Sequence, residues 1–179
     1  MVGQLSVVIV NWRNEERTLR CVSQLTGWGI LKPQILVVDN ESTVMSREAL
    51  AKALDANELI CSEVNLGYSG GNNLGIERAL HSRVPFILLL NSDAMIAEKD
   101  VIRLLNRLRD NPDIAILGPV LNEYQSDIVR SYIGGTDIVR NSVTRQAADR
   151  EALSNVPGYP LIDVDYVPGA VFLDRKSVV

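Results

Sequence analysis

The run Phe86-Ile87-Leu88-Leu89-Leu90 is continuously apolar and stops abruptly at Asn91-Ser92-Asp93. Successive strand residues point to opposite faces, so a strand of this composition must be covered on both sides. A central strand of a parallel sheet, with helices packed over each face, meets that demand. The polar residues that end the run then fall at a strand's carboxyl end, the edge where open α/β sheets take ligands. Asn, Ser and Asp are also ordinary turn residues, so the rest of the chain decides between the two readings.

The remaining sequence supplies the helices. Residues 5–10 are rich in β-branched side chains and end at Asn11. Asn14 is suited to cap a helix whose first turn carries Glu15 and Glu16. Leu19, Val22 and Leu25 recur at helical spacing, and Gly27 and Gly29 end the segment. A second strand at 35–38 ends in Asp39-Asn40, a helix at 44–54 follows, and a third strand lies at 58–62. Asn65-Leu66-Gly67-Tyr68-Ser69-Gly70-Gly71-Asn72-Asn73-Leu74-Gly75 reads as a glycine-rich loop opening a helix that continues to about residue 80. After the strand at 86–90, Val101, Leu104, Leu105 and Leu108 form one apolar helical face, and a fifth strand is expected at 114–117.

This alternation predicts a mostly parallel α/β sheet flanked by helices. From residue 121 the pattern changes. Short strands are expected within 131–144, an irregular polar segment over 144–157, and strand-like segments over 161–173 broken by Pro168-Gly169, which together suggest a small antiparallel portion. No linker divides the chain, so residues 1–179 are read as one domain.

Bulk properties exclude several classes. Twenty-two acidic against 18 basic residues give a net charge of −4, which offers no electrostatic case for nucleic acid. One histidine and two cysteines without a C-x-x-C spacing argue against zinc. Cys21 and Cys61 are expected as buried free thiols, and His81 as a helix-end residue. The amino terminus runs into strand-like residues without a basic n-region, and no apolar run approaches the length of a membrane span. The expectation is a cytoplasmic protein, with peripheral membrane association left open.

Asn11, Asp39-Asn40 and Asn91-Ser92-Asp93 should therefore converge on one sheet edge, beside the helix opened by the glycine-rich segment. A carboxylate there can accept a proton from a base or ribose, and free N–H groups at a helix start suit anions. A further carboxylate can hold a divalent cation and, through it, a diphosphate. Two rival nucleotide sites fail on position. The first strand is followed by Asn11-Trp12-Arg13-Asn14 rather than G-x-G-x-x-G, and Gly70-Gly71 by Asn72-Asn73 rather than G-K-[ST]. There is no G-x-S-x-G elbow for a hydrolase. Arg13 reads as an exposed helix-entry residue or a diphosphate contact, Tyr68 as loop packing or a base-stacking surface, and Trp12 and Trp28 as packing residues. Asp163 and Asp165 read as surface or acceptor-side residues.

Ser6-Val7-Val8-Ile9-Val10-Asn11-Trp12, Val37-Val38-Asp39-Asn40, the segment from Asn65 to Gly75, and Leu89-Leu90-Asn91-Ser92-Asp93 together resemble the family 2 glycosyltransferases of the GT-A fold. The flavour is that of the rhamnosyltransferase-like branch. Tyr166-Val167-Pro168-Gly169-Ala170-Val171-Phe172-Leu173 is similar to the strand that follows the acceptor region in that family. The resemblance implies an inverting transfer from a nucleotide-diphosphate sugar, a dTDP- or UDP-sugar, to a saccharide or lipid-linked acceptor. It implies a base contact at Asp39, a nucleoside pocket at Val10, Asn11, Asn40, Gly70, Gly71, Asn72, Asn73 and Ser92, and Mg²⁺ or Mn²⁺ on Asp93. Asn91 departs from the pattern, standing where many members carry a first Asp. Residues 1–120 would form the donor-binding part and 121–179 the start of the acceptor side. The family's general base falls beyond Val179, so this chain is expected to be a donor-binding portion with little activity of its own. The alternative is a catalytically degenerate nucleotide-binding or interaction module. A nucleotidyltransferase would want a basic glycine-rich loop after the first strand, which residues 11–16 do not supply.

Overall fold

Strand β4 (Phe86–Leu90) is buried at every position, as its composition demands. In the computed structural model, which describes residues 4–82, 84–125, 128–132 and 161–176, it pairs with β1 (Leu5–Asn11) on one side and β8 (Val171–Arg175) on the other. The order of the six-stranded sheet is β3-β2-β1-β4-β8-β5, where β2 is Gln34–Asn40, β3 is Leu59–Ser62 and β5 is Ile116–Leu117. β1 to β4 are parallel. β8 runs against both β4 and β5, so β5 keeps the direction of the first four. The fifth strand thus has the expected direction, and β8 lies between it and β4. A separate hairpin pairs β6 (Leu121–Gln125) with β7 (Ile128–Tyr132). The strands expected over 133–144 and the irregular segment over 144–157 lie outside the described residues.

Among the described residues four helices cover the sheet: α1 (Glu15–Thr26), α2 (Val44–Ala53), α3 (Gly67–Leu80) and α4 (Glu98–Asp110). The period-two alternation of the strands sorts the core into two layers. Val7, Ile9, Ile35, Val37, Leu88 and Leu90 point to one face, where they pack with Cys21 and Leu25 of α1, Leu50 of α2 and Leu105 and Leu108 of α4. Val8, Leu36, Ile87 and Leu89 point to the other, against Ala79 and Ile76 of α3. Val101, Leu104, Leu105 and Leu108 are buried as predicted. Asn14 does cap α1, its side chain accepting from the N–H of Arg17 at 3.3 Å. The Glu98 carboxylate locks the start of α4 to the α1–β2 connection, accepting from the N–H groups of Gly29, Ile30 and Leu31 at 3.2, 2.7 and 2.6 Å.

Two expectations are corrected here. The glycine-rich segment is not a loop: Gly70, Gly71, Asn72 and Asn73 all lie inside α3, which begins at Gly67. Gly71 and Gly75 let that helix settle onto the sheet, since a Cβ would stand 2.9 Å from a Val10 methyl at Gly71 and 2.2 Å from a Val8 methyl at Gly75. Cys61, on edge strand β3, is exposed, whereas Cys21 is buried; both are free. His81 caps the carboxyl end of α3 and is exposed, in line with its reading. Among the described residues no helix is long and apolar enough to cross a membrane.

Candidate functional site

The parallel register brings the polar strand tips side by side. Asn11 of β1 lies opposite Asp39 of β2, and Asp39 opposite Cys61 of β3. An open cleft of about 390 Å³ sits over this edge, lined by Val10, Trp12, Asn14, Arg17, Asn40, Asn65, Gly67, Tyr68, Asn91, Ser92 and Asp93. Of the residues singled out for a nucleoside pocket, Val10, Asn40 and Ser92 line the cleft. Asp93, the expected cation ligand, lines it too.

Asn11 and Asp39 do not line it; they form its foundation, and both are fully buried. The Thr18 hydroxyl donates to Asn11 Oδ1 at 2.7 Å, and Asn11 Nδ2 donates to Ser42 Oγ at 2.9 Å and to Asp39 Oδ1 at 3.2 Å. Arg47 of α2 donates from Nε to the other Asp39 oxygen at 3.0 Å, and also to Glu63 and to the Ser62 carbonyl. The expected base contact, Asp39, is thus sealed under the cleft with both oxygens engaged. Gly70, Gly71, Asn72 and Asn73 are absent from the lining as well, because α3 turns them along its own axis. Asn72 is tied locally, donating to the Tyr68 carbonyl at 2.9 Å.

Asn40 builds one wall. Its oxygen accepts from the Leu66 N–H at 2.9 Å, and its nitrogen donates to Asn65 Oδ1 and the Gly67 carbonyl, each at 3.1 Å. This ties the tip of β2 to the entry of α3, where Gly67 takes φ +69°, a left-handed conformation suited to glycine. Arg13 and Glu41, at the turns after β1 and β2, also adopt positive φ, 52° and 61°. Such backbone costs of order 1 kcal/mol or more for a non-glycine residue and tends to cluster at functional sites.

Across the cleft, the Tyr68 hydroxyl donates to the Gly169 carbonyl, and the Asn91 N–H donates to the Ala170 carbonyl at 2.9 Å. The segment entering β8 therefore meets both the α3 entry and the tip of β4. Burial raises the Tyr68 hydroxyl above its ordinary value, so it stays a neutral donor at physiological pH.

The charged lining is sparse. Among the described lining residues Asp93 is the only carboxylate and Arg17 the only cation; they face each other at 3.8 Å with half their side chains exposed. Asp93, Ser92 and the Asn91 amide offer hard oxygen donors of the type Mg²⁺ and Mn²⁺ take, but no group of three or more His, Cys, Asp or Glu converges among the described residues. The donor set suits a cation whose shell is completed by ligand phosphate oxygens and water, the usual arrangement for Mg²⁺.

Sequence reasoning weighed Arg13 and overlooked Arg17. Arg13 turns away, pairing with Glu41 at 3.7 Å and lying over the Trp12 ring. The missed signal was spacing. α1 starts at the tip of β1, so Asn14 and Arg17, three apart, share the helix face that meets the sheet edge. Trp12, expected as a packing residue, is 54% exposed and lines the cleft, while Trp28 is buried. Asp163 and Asp165 are exposed, as read.

A mostly parallel sheet with a polar cleft across its carboxyl edge is the arrangement in which open α/β proteins take their ligands. The family model described as Glycosyl transferase family 2 matches residues 6–166, nearly the whole chain, and the chain belongs to that family. It is 35% identical over 124 residues to the low-salt glycan biosynthesis hexosyltransferase Agl10 of Haloferax volcanii, a match that covers 68% of this chain and 38% of that relative. Among solved structures it is similar to a CMP:2-keto-3-deoxy-manno-octonic acid synthetase complexed with CTP, at 16% identity and a TM-score of 0.42, covering 63% of this chain and 50% of that one. A likeness that distant bears on no residue of the cleft.

Proposed function

We propose that this chain binds a nucleotide-diphosphate sugar in the cleft and takes part in inverting transfer of the sugar to a hydroxyl of a saccharide or lipid-linked acceptor. The observation that carries the reading is the cleft itself. In a family 2 chain, the loops after three parallel strands present amides, a hydroxyl and one carboxylate to a single open space. The nucleoside sits between Val10, Asn40 and Tyr68, with Trp12 as an exposed stacking surface. Asp39 acts from below, fixing Asn11 and the turn at Ser42 that shape the pocket floor.

Asp93 is the residue that holds Mg²⁺ or Mn²⁺ in this reading, with Ser92 and Asn91 beside it. A cation bound there neutralises charge on the leaving diphosphate. The carboxyl-edge position of Asp93 supports this, as does the general use of divalent metals in family 2. A pyrimidine diphosphate is the donor class we favour, with dTDP-rhamnose as the first sugar to try.

The test is calorimetric titration of UDP, dTDP, GDP and ADP, with Mn²⁺ and with EDTA, into the wild-type chain and Asp93→Ala. Binding that needs the cation and is lost in Asp93→Ala supports the reading. Binding indifferent to both points to a nucleotide module without the transfer chemistry, and silence with every nucleotide sinks the donor site.

A further inference from the structure

Resting on that reading of the cleft, we propose that Arg17 is the diphosphate-contacting cation of this chain, parked on Asp93 until a nucleotide enters. Arg17 and Asp93 are the opposite charges of the lining, 3.8 Å apart, with side chains 52% and 58% exposed. Ion pairs this exposed add little to stability, so the fold does not depend on the contact. The α1 start is secured instead by Asn14, whose side chain accepts from the backbone N–H of Arg17. The guanidinium is thus free to change partners without cost to the helix.

Charge arithmetic favours the exchange. A diphosphate entering the cleft meets one positive and one negative side chain, which offset each other while they are paired. Once Asp93 is neutralised by a divalent cation, Arg17 loses its partner and faces a like charge. Its planar fork then matches phosphate oxygens, to which arginine makes strong charge-assisted bonds. Of the two other arginines at this edge, Arg13 lies over the Trp12 ring and does not line the cleft, and Arg47 is held below it by Asp39 and Glu63.

The experiment compares wild type, Arg17→Gln and Arg17→Lys, with thermal melts to establish that each is folded. Each is titrated, in Mn²⁺, with the diphosphate that the wild type prefers among UDP, dTDP, GDP and ADP, and with the matching nucleoside. Arg17→Gln should weaken the diphosphate by about tenfold or more, the size of losing a charged hydrogen bond, and leave the nucleoside unchanged. Arg17→Lys should fall between, keeping the charge and losing the fork. Equal diphosphate affinity in wild type and Arg17→Gln would overturn the assignment while the donor site stands. A wild type that binds no diphosphate overturns both readings, and that silence is visible before any variant is made.

Discussion

Asp39 and Arg47 form an ion pair with one end sealed from water: the carboxylate has no exposed surface, and the guanidinium, 3.0 Å away, is 31% exposed. A buried charge is tolerable only when it is paired, and removing one partner costs more than removing both. Arg47→Gln should therefore destabilise the chain by about 3 kcal/mol, because Asn11 alone would remain to hold the charge. Asp39→Asn should cost less, on the order of 1 kcal/mol, because Arg47 keeps Glu63, the Ser62 carbonyl and water. Urea unfolding of the two variants checks the order. If Asp39→Asn proves the more damaging, the carboxylate does something besides pairing with Arg47.

Gly75 tests the helix–sheet contact beneath the cleft. Alanine is the better helix former by about 1 kcal/mol, so propensity alone predicts stabilisation. Its Cβ, however, would stand 2.2 Å from a Val8 methyl and 3.3 Å from a Val38 methyl in the most buried part of the sheet. Overpacking of that kind costs roughly 1–3 kcal/mol, and we expect it to win. Gly75→Ala should lower the melting temperature, and adding Val8→Ala should recover part of the loss. Additive losses in the double variant would mean that α3 is not held where the Val8 methyl places it.

The same contact marks where sequence reading succeeds and where it stops. The unbroken apolar run of β4, the 101–108 face of α4 and the Asn14 cap are local patterns, and each fixes its own element. Glycines in a row are ambiguous, because they serve equally a loop that approaches a ligand and a helix that approaches a strand. Only the depth of α3 on Val8 and Val10 distinguishes the two. The insertion of β8 between β4 and β5 is a pairing over some 80 residues of sequence, and no local period records it. Asp39 was recognisable as a strand-tip carboxylate, but nothing in its neighbourhood announces that Arg47, eight residues later on α2, folds back over it. Arg17 escaped for a related reason: a helix residue joins a site only once the helix is docked.

The two thiols should separate cleanly by reactivity. Burial, with the charge of Asp93 adding to it, pushes the Cys21 thiol up to about 11. At pH 8 roughly one molecule in a thousand would then carry the reactive thiolate, in a side chain reagents cannot reach. Cys61 is exposed on β3; burial raises it as well, but Arg47 opposes the shift. A colorimetric thiol titration of the native chain should therefore find one fast equivalent, and the second only in denaturant. Two fast equivalents would contradict the packing of α1 against the sheet.

Two carboxylates should give opposite pH signatures. Glu98 is held below its ordinary 4.5 chiefly by the Leu31 N–H, with those of Ile30 and Gly29 adding to it. Its folded form prefers the charge, so its contribution is present above pH 4.5 and fades as pH falls through the lowered value. Asp174, paired across the sheet with Ile87 and Ile116, is pushed above its ordinary 3.8 by burial. Its folded form prefers the proton, so stability is greatest below pH 3.8 and is lost as pH rises through the raised value. Glu98→Gln should thus melt below wild type at pH 7, with the gap closing toward pH 3. Asp174→Asn should melt above wild type at pH 7, and that gap should also close on acidification. Melting curves of the three proteins across this range decide the matter. A Glu98→Gln deficit that persists unchanged at pH 3 would mean that the contact acts through its geometry rather than its charge.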